Sequence, residues 1–403
     1  MPKRVAIVSS SCPPAGSGGV SSAQYNLYRA LKQNGYDAKM FTFNDHGVSL
    51  AEEDITRLGV PKWFERCVDQ VTRVYFRFVE PGKLAYHVSE ILSFAWPCVR
   101  LRSRIRAFRP EVLVLSDHGC PGLMIGRPRG CRTILVSHHN PARFLGNPLW
   151  TLHSERDSRI AIRLENLVLR HVDTVVCPSE YMQDMFRKTY TYSGPVTVVP
   201  NLVDTELIAN ISARDLRSEL GLPQDAILVY IPSAGSDYKG SRFVFEIIRR
   251  LAQRTAKDIG FYLSGNLDSK LAYELRFVPS NAKIHAPGQV SYATNLAIVK
   301  TCSFGVSPTL VESFGMALLE ANLCGVPMVS FDVGGNADVV GHGISGVLVP
   351  YFDLEALIEA AFRLLDERVR ASMRSETVRY ATNKFGGTAA GLAFMQIIDR
   401  GGA

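Results

Sequence analysis

Short apolar runs alternate with segments of helical periodicity along the whole chain. In the N-terminal half the runs predict strands at residues 5–9, 38–43, 112–116, 133–137 and 174–177. In the C-terminal half they predict strands at residues 226–232, 261–264, 283–285, 304–306 and 328–331. Apolar runs of this length, separated by helical stretches, are typical of parallel sheets with crossover helices. Each half is therefore predicted to be a Rossmann-like α/β domain.

The length and composition fit a two-domain globular protein. The 403 residues suffice for two domains that each bury a core, and the run at 196–204 ends the first alternation. We therefore place the domains at residues 1–202 and 203–384. The chain is 46% hydrophobic and 21% charged, and no apolar run approaches the length of a membrane span. The apolar run near the start is short for a secretory signal, so we expect a cytoplasmic protein.

Charge and cysteine content indicate which partners and which thiol state to expect. Residues 1–200 contain 26 Lys and Arg against 17 Asp and Glu, whereas residues 201–403 contain 19 against 21. A basic half indicates an anionic partner (a membrane surface, a lipid-linked phosphate or nucleic acid) or simply a solvated surface. The eight cysteines show no zinc-like spacing, so we expect reduced thiols.

The region at 50–110 contains a basic pattern rich in aromatic residues. The apolar side chains at roughly helical spacing are Trp63, Phe64, Cys67, Val71, Val74, Tyr75 and Phe78, and the interleaved cations are Arg66, Arg73 and Arg77. Such a helix can rest on anionic lipid, shape an acceptor groove, or turn its apolar side to the core. We favour the core-facing interpretation, with solvated arginines.

Two acids lie eight residues apart where a predicted strand passes into a helix. Ser307-Pro308 ends the strand and apolar periodicity predicts a helix over residues 314–322, so Glu312 lies where the helix begins. A helix N-terminus offers free N–H groups and a positive dipole end, which suit a pyrophosphate. The N–H groups concerned belong to Ser313, Phe314, Gly315 and Met316. Glu320, about two turns further, points from nearly the same face, although such a pair also fits capping and solvated charge.

The following strand leads into Gly334-Gly335, a turn in which backbone can approach a ligand. This combination resembles the retaining glycosyltransferases of family 4, whose hallmark is Glu, seven residues, Glu, with Phe-Gly after the first acid and a Gly-Gly turn downstream. The resemblance implies the GT-B fold, in which two Rossmann-like domains face each other across a cleft. It also implies an acceptor-side first domain, a donor-binding second domain and a last helix, at about residues 385–400, that crosses back to the first.

The resemblance also implies roles for residues of the first domain. A glycine-containing turn precedes a helix predicted at 21–32, and Gly18 and Gly19 would border the donor phosphate and sugar. His118 would contact the donor sugar or line the acceptor side. Asp117, His138 and His139 also follow predicted strands and are acceptor-side candidates, with a structural role as the alternative.

In the second domain, family 4 proteins commonly carry an arginine about six residues before a Lys-Gly pair, and both cations neutralise the leaving diphosphate. Lys239-Gly240 is present, but Ser233 stands where the arginine is usual, and Arg242 is the nearest candidate to compensate. Lys239 and Glu312, with His118, are therefore the predicted catalytic residues. Glu312 would hold hydroxyls of the donor sugar and Glu320 the ribose.

The predicted function is transfer of a hexose from a UDP- or GDP-linked sugar to an acceptor hydroxyl, in cell-surface polysaccharide or glycolipid assembly. No Asp-x-Asp motif is present, and we expect no metal, no tightly bound cofactor and no nucleic-acid partner. Peripheral contact with an anionic membrane at its inner face fits the basic half. The alternatives are a phosphorylase or epimerase, a catalytically weak nucleotide-sugar-binding scaffold, and a nicotinamide dehydrogenase with Asp45 as its ribose acid.

Overall fold

The computed structural model describes residues 2–14, 18–45 and 53–400. Ala15, Gly16 and Ser17 of the predicted glycine turn lie outside the described residues, as does the beginning of the region at 50–110. The chain divides into two compact units, Met1–Leu202 with Thr388–Ala403, and Val203–Gly387. Each unit is built around one parallel sheet.

The first unit contains seven strands within the described residues. They are β1 (Arg4–Ser9), β2 (Asp37–Thr42), β3 (Ile55–Arg57), β4 (Val112–Ser116), β5 (Arg132–Val136), β6 (Thr174–Cys177) and β7 (Val196–Val198). The helices between them are α1 (Gly19–Gln33), α2 (Lys62–Val79), α3 (His87–Phe108), α4 (Gly122–Ile125), α5 (Glu155–Leu169) and α6 (Glu180–Thr189). All strands are parallel, in the order β3-β2-β1-β4-β5-β6-β7.

The second unit repeats this arrangement with six strands in the part of the chain described. They are β8 (Ile227–Ile231), β9 (Ile259–Leu263), β10 (Ala282–His285), β11 (Phe304–Ser307), β12 (Met328–Phe331) and β13 (Gly346–Val349). Its helices are α7 (Thr205–Asn210), α8 (Ser241–Gln253), α9 (Ser269–Glu274), α10 (Tyr292–Val299), α11 (Met316–Leu323), α12 (Asn336–Val339), α13 (Leu354–Arg363) and α14 (Glu367–Phe385). The parallel order is β10-β9-β8-β11-β12-β13.

A last helix, α15 (Gly387–Asp399), packs into the first unit. Successive residues of a strand point to opposite faces of its sheet, so Val5 and Ile7 of β1 share one core with side chains of α1 and α15. Ala6 and Val8 point to the other core, which α3, α4, α5 and α6 cover. Both faces of the sheet are therefore buried, as a parallel sheet requires.

The strands lie close to their predicted positions. Residues 112–116, 174–177 and 328–331 are strands with the predicted limits, and most of the other predicted strands begin or end within two residues of the observed ones. The short edge strand β3 was not predicted. All eight cysteines are free thiols, and Cys67 is the exposed one among them. Among the described helices, none combines the length and the apolarity needed to cross a membrane.

The core-facing interpretation of the aromatic helix is wrong for α2. Its buried side chains are Val68, Thr72 and Phe76, a row at every fourth residue. The predicted apolar positions other than Phe64 are exposed, including Trp63 and Phe78. Helix α2 carries more apolar side chains than one buried row can hold. The row that packs against the protein lies on a different side of the helix from most of the predicted positions.

Candidate functional site

The second unit has a switch point between β8 and β11. The strand order runs outward from β8 in one direction and from β11 in the other, and these two strands are neighbours in the sheet. The loops that follow them, residues 232–240 and 308–315, therefore leave the same edge in opposite directions. In open parallel sheets, ligands bind in the crevice that such a divergence creates at the carboxyl ends of the strands.

Backbone contacts hold these two loops together. The carbonyl of Tyr238 accepts hydrogen bonds from the N–H groups of Leu310 (2.8 Å) and Val311 (3.2 Å). Gly240 has a φ of +79°, and a Cβ at this position would lie 2.0 Å from the carbonyl oxygen of Pro308. Only glycine fits such an approach. The Lys-Gly pair thus brings the residue before the glycine next to the residues that follow β11.

Lys239 and Glu312 form an ion pair at this junction. The Nζ of Lys239 lies 2.6 Å from Oε2 of Glu312, and the side chains are 30% and 15% exposed. Oε1 of Glu312 accepts hydrogen bonds from the N–H groups of Ser313 (3.0 Å) and Phe314 (3.4 Å). Burial acts to raise the pKa of Glu312, but the charge of Lys239 and these hydrogen bonds outweigh it and lower that pKa. Glu312 is therefore an anion, and Lys239 keeps further N–H groups for a ligand.

The start of α11 differs from the prediction in two respects. The helix begins at Met316 after Gly315, two residues later than predicted, and the side chains of Phe314 and Met316 are buried in the core. Glu312 already occupies the N–H groups of Ser313 and Phe314. Four N–H groups were predicted to meet a pyrophosphate. Those of Gly315 and Met316, at the start of the helix, are not used by Glu312 and are available to a ligand.

The Gly334-Gly335 turn packs against the backbone of Glu312 and Ser313, and this contact by itself accounts for its two glycines. A Cβ on Gly334 would lie 1.9 Å from the carbonyl oxygen of Glu312, and one on Gly335 would lie 2.5 Å from that of Ser313. Gly334 also has a φ of +57°. The two glycines therefore support the segment that carries Glu312 from behind.

Glu320 lies on α11 and hydrogen-bonds with Tyr292 of α10. Burial raises the pKa of Glu320 to about 7, and the hydrogen bond with Tyr292 offsets only part of this effect. The two acids of the motif thus differ, because Glu312 has a cation beside it and Glu320 has a phenol. Burial therefore favours the protonated form of Glu320, in contrast to Glu312.

Ser233 and Arg242 flank the loop after β8 without joining the ion pair. Ser233 is exposed in the left-handed region with a φ of +49°, and its N–H donates to Oγ of Ser264 at 3.1 Å. Arg242 donates to Oδ1 of Asp237 at 2.7 Å. The structure therefore pairs Arg242 with a neighbouring acid and gives no support to its compensating for the missing arginine.

The first unit has the same kind of switch point between β1 and β4. Gly18 precedes α1 as its N-cap with φ −104° and ψ 155°, and Gly19 is the first helical residue. A Cβ on Gly18 would meet no atom within 4 Å, so the backbone here faces open space. Asp117 and His118 directly follow β4. The segments that contain Gly18 and Gly19 and Asp117 and His118 therefore lie at the edge of the sheet where ligands of this fold class bind.

His118 forms an ion pair with Glu90 of α3, with Nε2 and Oε2 3.2 Å apart. Burial acts to lower the pKa of His118, but the charge and hydrogen bond of Glu90 outweigh it and raise that pKa to about 9. His118 is thus a partly exposed imidazolium at neutral pH. Glu90 is separated from it by 27 residues of sequence, and no pattern in the chain indicated their contact.

Asp117, His138 and His139 form buried links between strand ends. Oδ2 of Asp117 accepts hydrogen bonds from the N–H of His139 (2.8 Å) and from Oγ of Ser137 (3.1 Å). His138 is 3% exposed, and its Nε2 lies 2.8 Å from Oδ1 of Asn201. Burial lowers the pKa of both histidines. These internal partners support the structural alternative for Asp117 and His138.

His139 and Asp45 were also candidates. Nε2 of His139 lies 3.2 Å from Nδ1 of His87, in an aromatic cluster that includes Phe144. Asp45 is buried, with Oδ2 2.9 Å from Nη1 of Arg57 and 2.6 Å from Oγ1 of Thr42. That contact holds β2 to β3 and removes Asp45 as the ribose acid of a dehydrogenase. Within the described residues, no group of three or more His, Cys, Asp and Glu side chains is arranged to hold a metal ion.

Two family models match consecutive parts of the chain. The model for Glycosyltransferase Family 4 matches residues 17–207, and the model for Glycosyl transferases group 1 matches residues 212–384. The first match ends and the second begins within about ten residues of the division between the two compact units after Leu202. Together they cover most of its length.

Individual proteins are similar at lower identity. The D-inositol 3-phosphate glycosyltransferase 1 of Catenulispora acidiphila is 28% identical over 226 residues, which are 51% of this chain and 49% of that protein. The chain spans about half the length of the curated relatives it matches. The solved sucrose-phosphate synthase of Thermosynechococcus elongatus is 18% identical with a TM-score of 0.77, over 99% of this chain and 98% of that one. HepE of Anabaena, solved in complex with UDP-glucose, is 15% identical with a TM-score of 0.68, over 98% and 99%. These likenesses show a GT-B fold.

Proposed function

Because the chain belongs to glycosyltransferase family 4, we propose that it transfers a hexose from a nucleoside diphosphate sugar to an acceptor hydroxyl, with retention of the anomeric configuration. The observation that carries this proposal is the Lys239–Glu312 pair at the switch point of the second unit. A cation for phosphate and an anion for hydroxyls lie 2.6 Å apart beside the open N-terminus of α11. This is the chemistry that a nucleotide sugar presents at its reacting end.

Each residue of this site has a proposed role. Lys239 binds the diphosphate with the N–H groups that it does not give to Glu312, and the N–H groups of Gly315 and Met316 bind the same phosphates. Glu312 accepts hydrogen bonds from sugar hydroxyls, and Glu320 accepts them from the ribose. Ser233 borders the phosphates through its exposed loop, while Ser313 and Phe314 act through Glu312.

The reaction breaks the bond between the anomeric carbon and the phosphate oxygen and forms a bond from the same carbon to the acceptor oxygen. Negative charge develops on the departing diphosphate, where Lys239 and the helix N-terminus stabilise it. The acceptor proton passes to an oxygen of that phosphate, so the site needs no separate general base. The acceptor attacks the anomeric carbon from the same face from which the diphosphate leaves, so the anomeric configuration is retained.

The first unit supplies the acceptor side in this proposal. Gly18 and Gly19 admit the donor phosphate and sugar, because the backbone at Gly18 faces open space. His118, an imidazolium beside Glu90, donates to an oxygen of the sugar. Asp117, His138 and His139 support these loops from inside and do not contact the acceptor.

Donor, acceptor and location complete the proposal. UDP is favoured over GDP as the donor nucleotide, because the solved HepE of similar fold is named with UDP-glucose. The acceptor is a saccharide or lipid-linked saccharide of cell-surface polysaccharide or glycolipid assembly, consistent with the basic N-terminal half. Catalysis needs no metal, and the protein works in the cytoplasm with peripheral contact at the inner membrane face.

A Glu312→Gln variant tests this function. The amide keeps the shape of the side chain but loses the charge that pairs with Lys239 and accepts sugar hydroxyls, so we expect activity about 100-fold lower with folding retained. The measurement is release of nucleoside diphosphate from UDP- and GDP-sugars, with and without EDTA. Glu219→Gln, which removes an acid paired with Arg214 on the surface, is the control.

The outcomes separate the enzyme from the scaffold alternative. Turnover by the wild type and the Glu219→Gln variant, lost in Glu312→Gln, supports the proposal. Equal turnover by all three would contradict the role of Glu312. Nucleotide binding without turnover of any sugar by the wild type would favour a scaffold.

A further inference from the structure

Helix α2 carries a second apolar stripe that is largely exposed to solvent. We call Trp63, Cys67, Val71, Val74 and Phe78 the outer stripe. Their spacing of four, four, three and four residues is that of one continuous helix face. Phe78 is 82% exposed and Trp63 58%, and Val71 and Val74 are each more than half exposed. An 18-residue helix thus presents apolar side chains to solvent along its whole length.

Three arginines border this stripe. At about 100° per residue, Arg66, Arg73 and Arg77 fall together along one edge of the outer stripe, while the buried row of Val68, Thr72 and Phe76 lies beyond the other edge. All three arginines are exposed, and within the described residues none of them forms an ion pair. The result is an apolar band with a basic margin on the side away from the sheet.

The neighbouring helix α3 extends the basic surface. The ring of Trp63 meets that of Trp96 edge to face at 5.6 Å, and the guanidinium of Arg100 lies 4.8 Å from the Trp96 ring. Of the exposed arginines that follow on α3, Arg104 falls by helical spacing on the same side as Arg100, whereas Arg102 and Arg106 fall on the other side. Tryptophan with a cation beside it is suited to an interface where apolar and charged layers meet.

We propose that the outer stripe and its arginines are the surface by which this chain binds an anionic lipid membrane, with α2 lying in the plane of the interface. Amphipathic helices with Trp and Phe on one side and cations along its margin bind in this manner. The charge decides between this partner and a second copy of the chain, because a copy would bring its own arginines to the same margin. A negatively charged lipid surface complements them.

This inference rests on the membrane contact of the proposed function but not on the transferase activity, so its test can fail independently of the activity assay. The full chain is sedimented with vesicles of phosphatidylcholine alone and with vesicles that also contain phosphatidylglycerol. We expect binding to the anionic vesicles only. Substituting one arginine, as in Arg73→Gln, is expected to weaken that binding about fivefold, which corresponds to about 1 kcal/mol.

The apolar part of the surface has its own variant and a matched control. Val74→Ser with Phe78→Ser is expected to weaken binding about tenfold or more, because two exposed apolar side chains lose their transfer into lipid. Tyr273→Ser with Phe277→Ser removes a comparably exposed pair, 59% and 61%, from the second unit and should leave binding unchanged. Thermal unfolding with UDP shows that each variant remains folded.

Cys67 gives a direct readout, because it lies in the outer stripe and is the exposed one of the eight cysteines. An environment-sensitive fluorophore on Cys67 is expected to shift to the blue with anionic vesicles and not with phosphatidylcholine vesicles. Absence of binding, equal binding to both vesicles, or binding that the α2 variants leave intact would overturn the proposal. So would a dimer in solution that Val74→Ser with Phe78→Ser dissociates, since the stripe would then be covered by a second copy.

Discussion

Glu312, in the loop before α11, and Glu320, on α11, have the same side chain, yet their surroundings move their pKa values in opposite directions. Lys239 lowers the pKa of Glu312, whereas burial beside Tyr292 raises that of Glu320 to about 7. In the unfolded chain both values lie near 4.3. The ionised form of Glu312 therefore stabilises the fold, and the ionised form of Glu320 destabilises it.

This difference predicts a pH-dependent effect of Glu320→Gln. Wild-type stability from Glu320 is complete below pH of about 4.3 and is lost as the pH rises through about 7, because over this range the unfolded chain releases the proton that burial retains in the folded state. The variant cannot ionise, so we expect it to be about 1–3 kcal/mol more stable than the wild type at pH 8 and equal at pH 4. Denaturant unfolding at both pH values measures this.

The control is Glu312→Gln, for which the sign reverses. Its pKa is lowered in the folded state, so the contribution of the carboxylate is present above the unfolded value and is lost as the pH falls. Glu312→Gln should therefore be less stable than the wild type at pH 8. If both variants shifted stability in the same direction, the assignment of opposite environments would be wrong.

At this scale the sequence indicated the chemistry of residues but not their pairing. Lys239 and Glu312 could be singled out from motifs, because Lys-Gly and Glu-Ser-Phe-Gly are local patterns. That the two form an ion pair depends on Tyr238 and Gly240 holding two loops together, which no local pattern encodes. The contact of His118 with Glu90 likewise joins a strand end to a separate helix.

Among the elements, the Gly334-Gly335 turn is tightly constrained in sequence by the backbone that it contacts. Its backbone lies against the carbonyl groups of Glu312 and Ser313, so the turn fixes the height at which those residues lie above the sheet. A glycine turn at a strand end was expected to serve a ligand directly. The structure shows that closeness to another backbone imposes the same requirement for glycine.

Gly334→Ala therefore tests the support of the site. The new methyl group would overlap the carbonyl oxygen of Glu312 in addition to the strain of a positive φ, so we expect a loss of more than about 2 kcal/mol and weaker UDP binding. Gly343→Ala is the control, because Gly343 also has a positive φ (+78°) but meets no atom within 4 Å. Its cost should be the strain alone, about 1–2 kcal/mol.

Unfolding midpoints and nucleotide binding of the two variants provide the comparison. Equal losses in both would show that the contact with Glu312 contributes nothing, contrary to the account.

Elements differed in how well the sequence predicted them. Buried central strands such as β4 and β12 were predicted at their observed limits, because parallel strands buried on both faces leave continuous apolar runs. The edge strand β3 has three residues and leaves no such run. Helix α2 was predicted as a helix but with the wrong face buried, because periodicity alone cannot tell a stripe that packs from one that is exposed.

For the whole molecule, the alternation of strands and helices was sufficient to predict two Rossmann-like units. Each described sheet has the order expected of that fold, with a divergence at β1 and β4 and another at β8 and β11. Most of the residues selected from motifs lie in the loops that follow these four strands or on the helices that begin there, whereas His138 and His139 follow β5. Topology thus explains why segments far apart in sequence belong to one site within each unit.

Binding of a diphosphate nucleotide to the second unit is the central claim, and thermal unfolding of the wild type and Glu320→Ala with UDP, GDP, ADP and NAD tests it most directly. A ligand that binds only the folded state stabilises it, by about 2.7 kcal/mol at a hundredfold excess over its Kd. The account predicts that one diphosphate nucleotide, with UDP favoured, raises the midpoint of the wild type and raises that of Glu320→Ala less. No response to any diphosphate nucleotide, or a response to NAD alone, would contradict it.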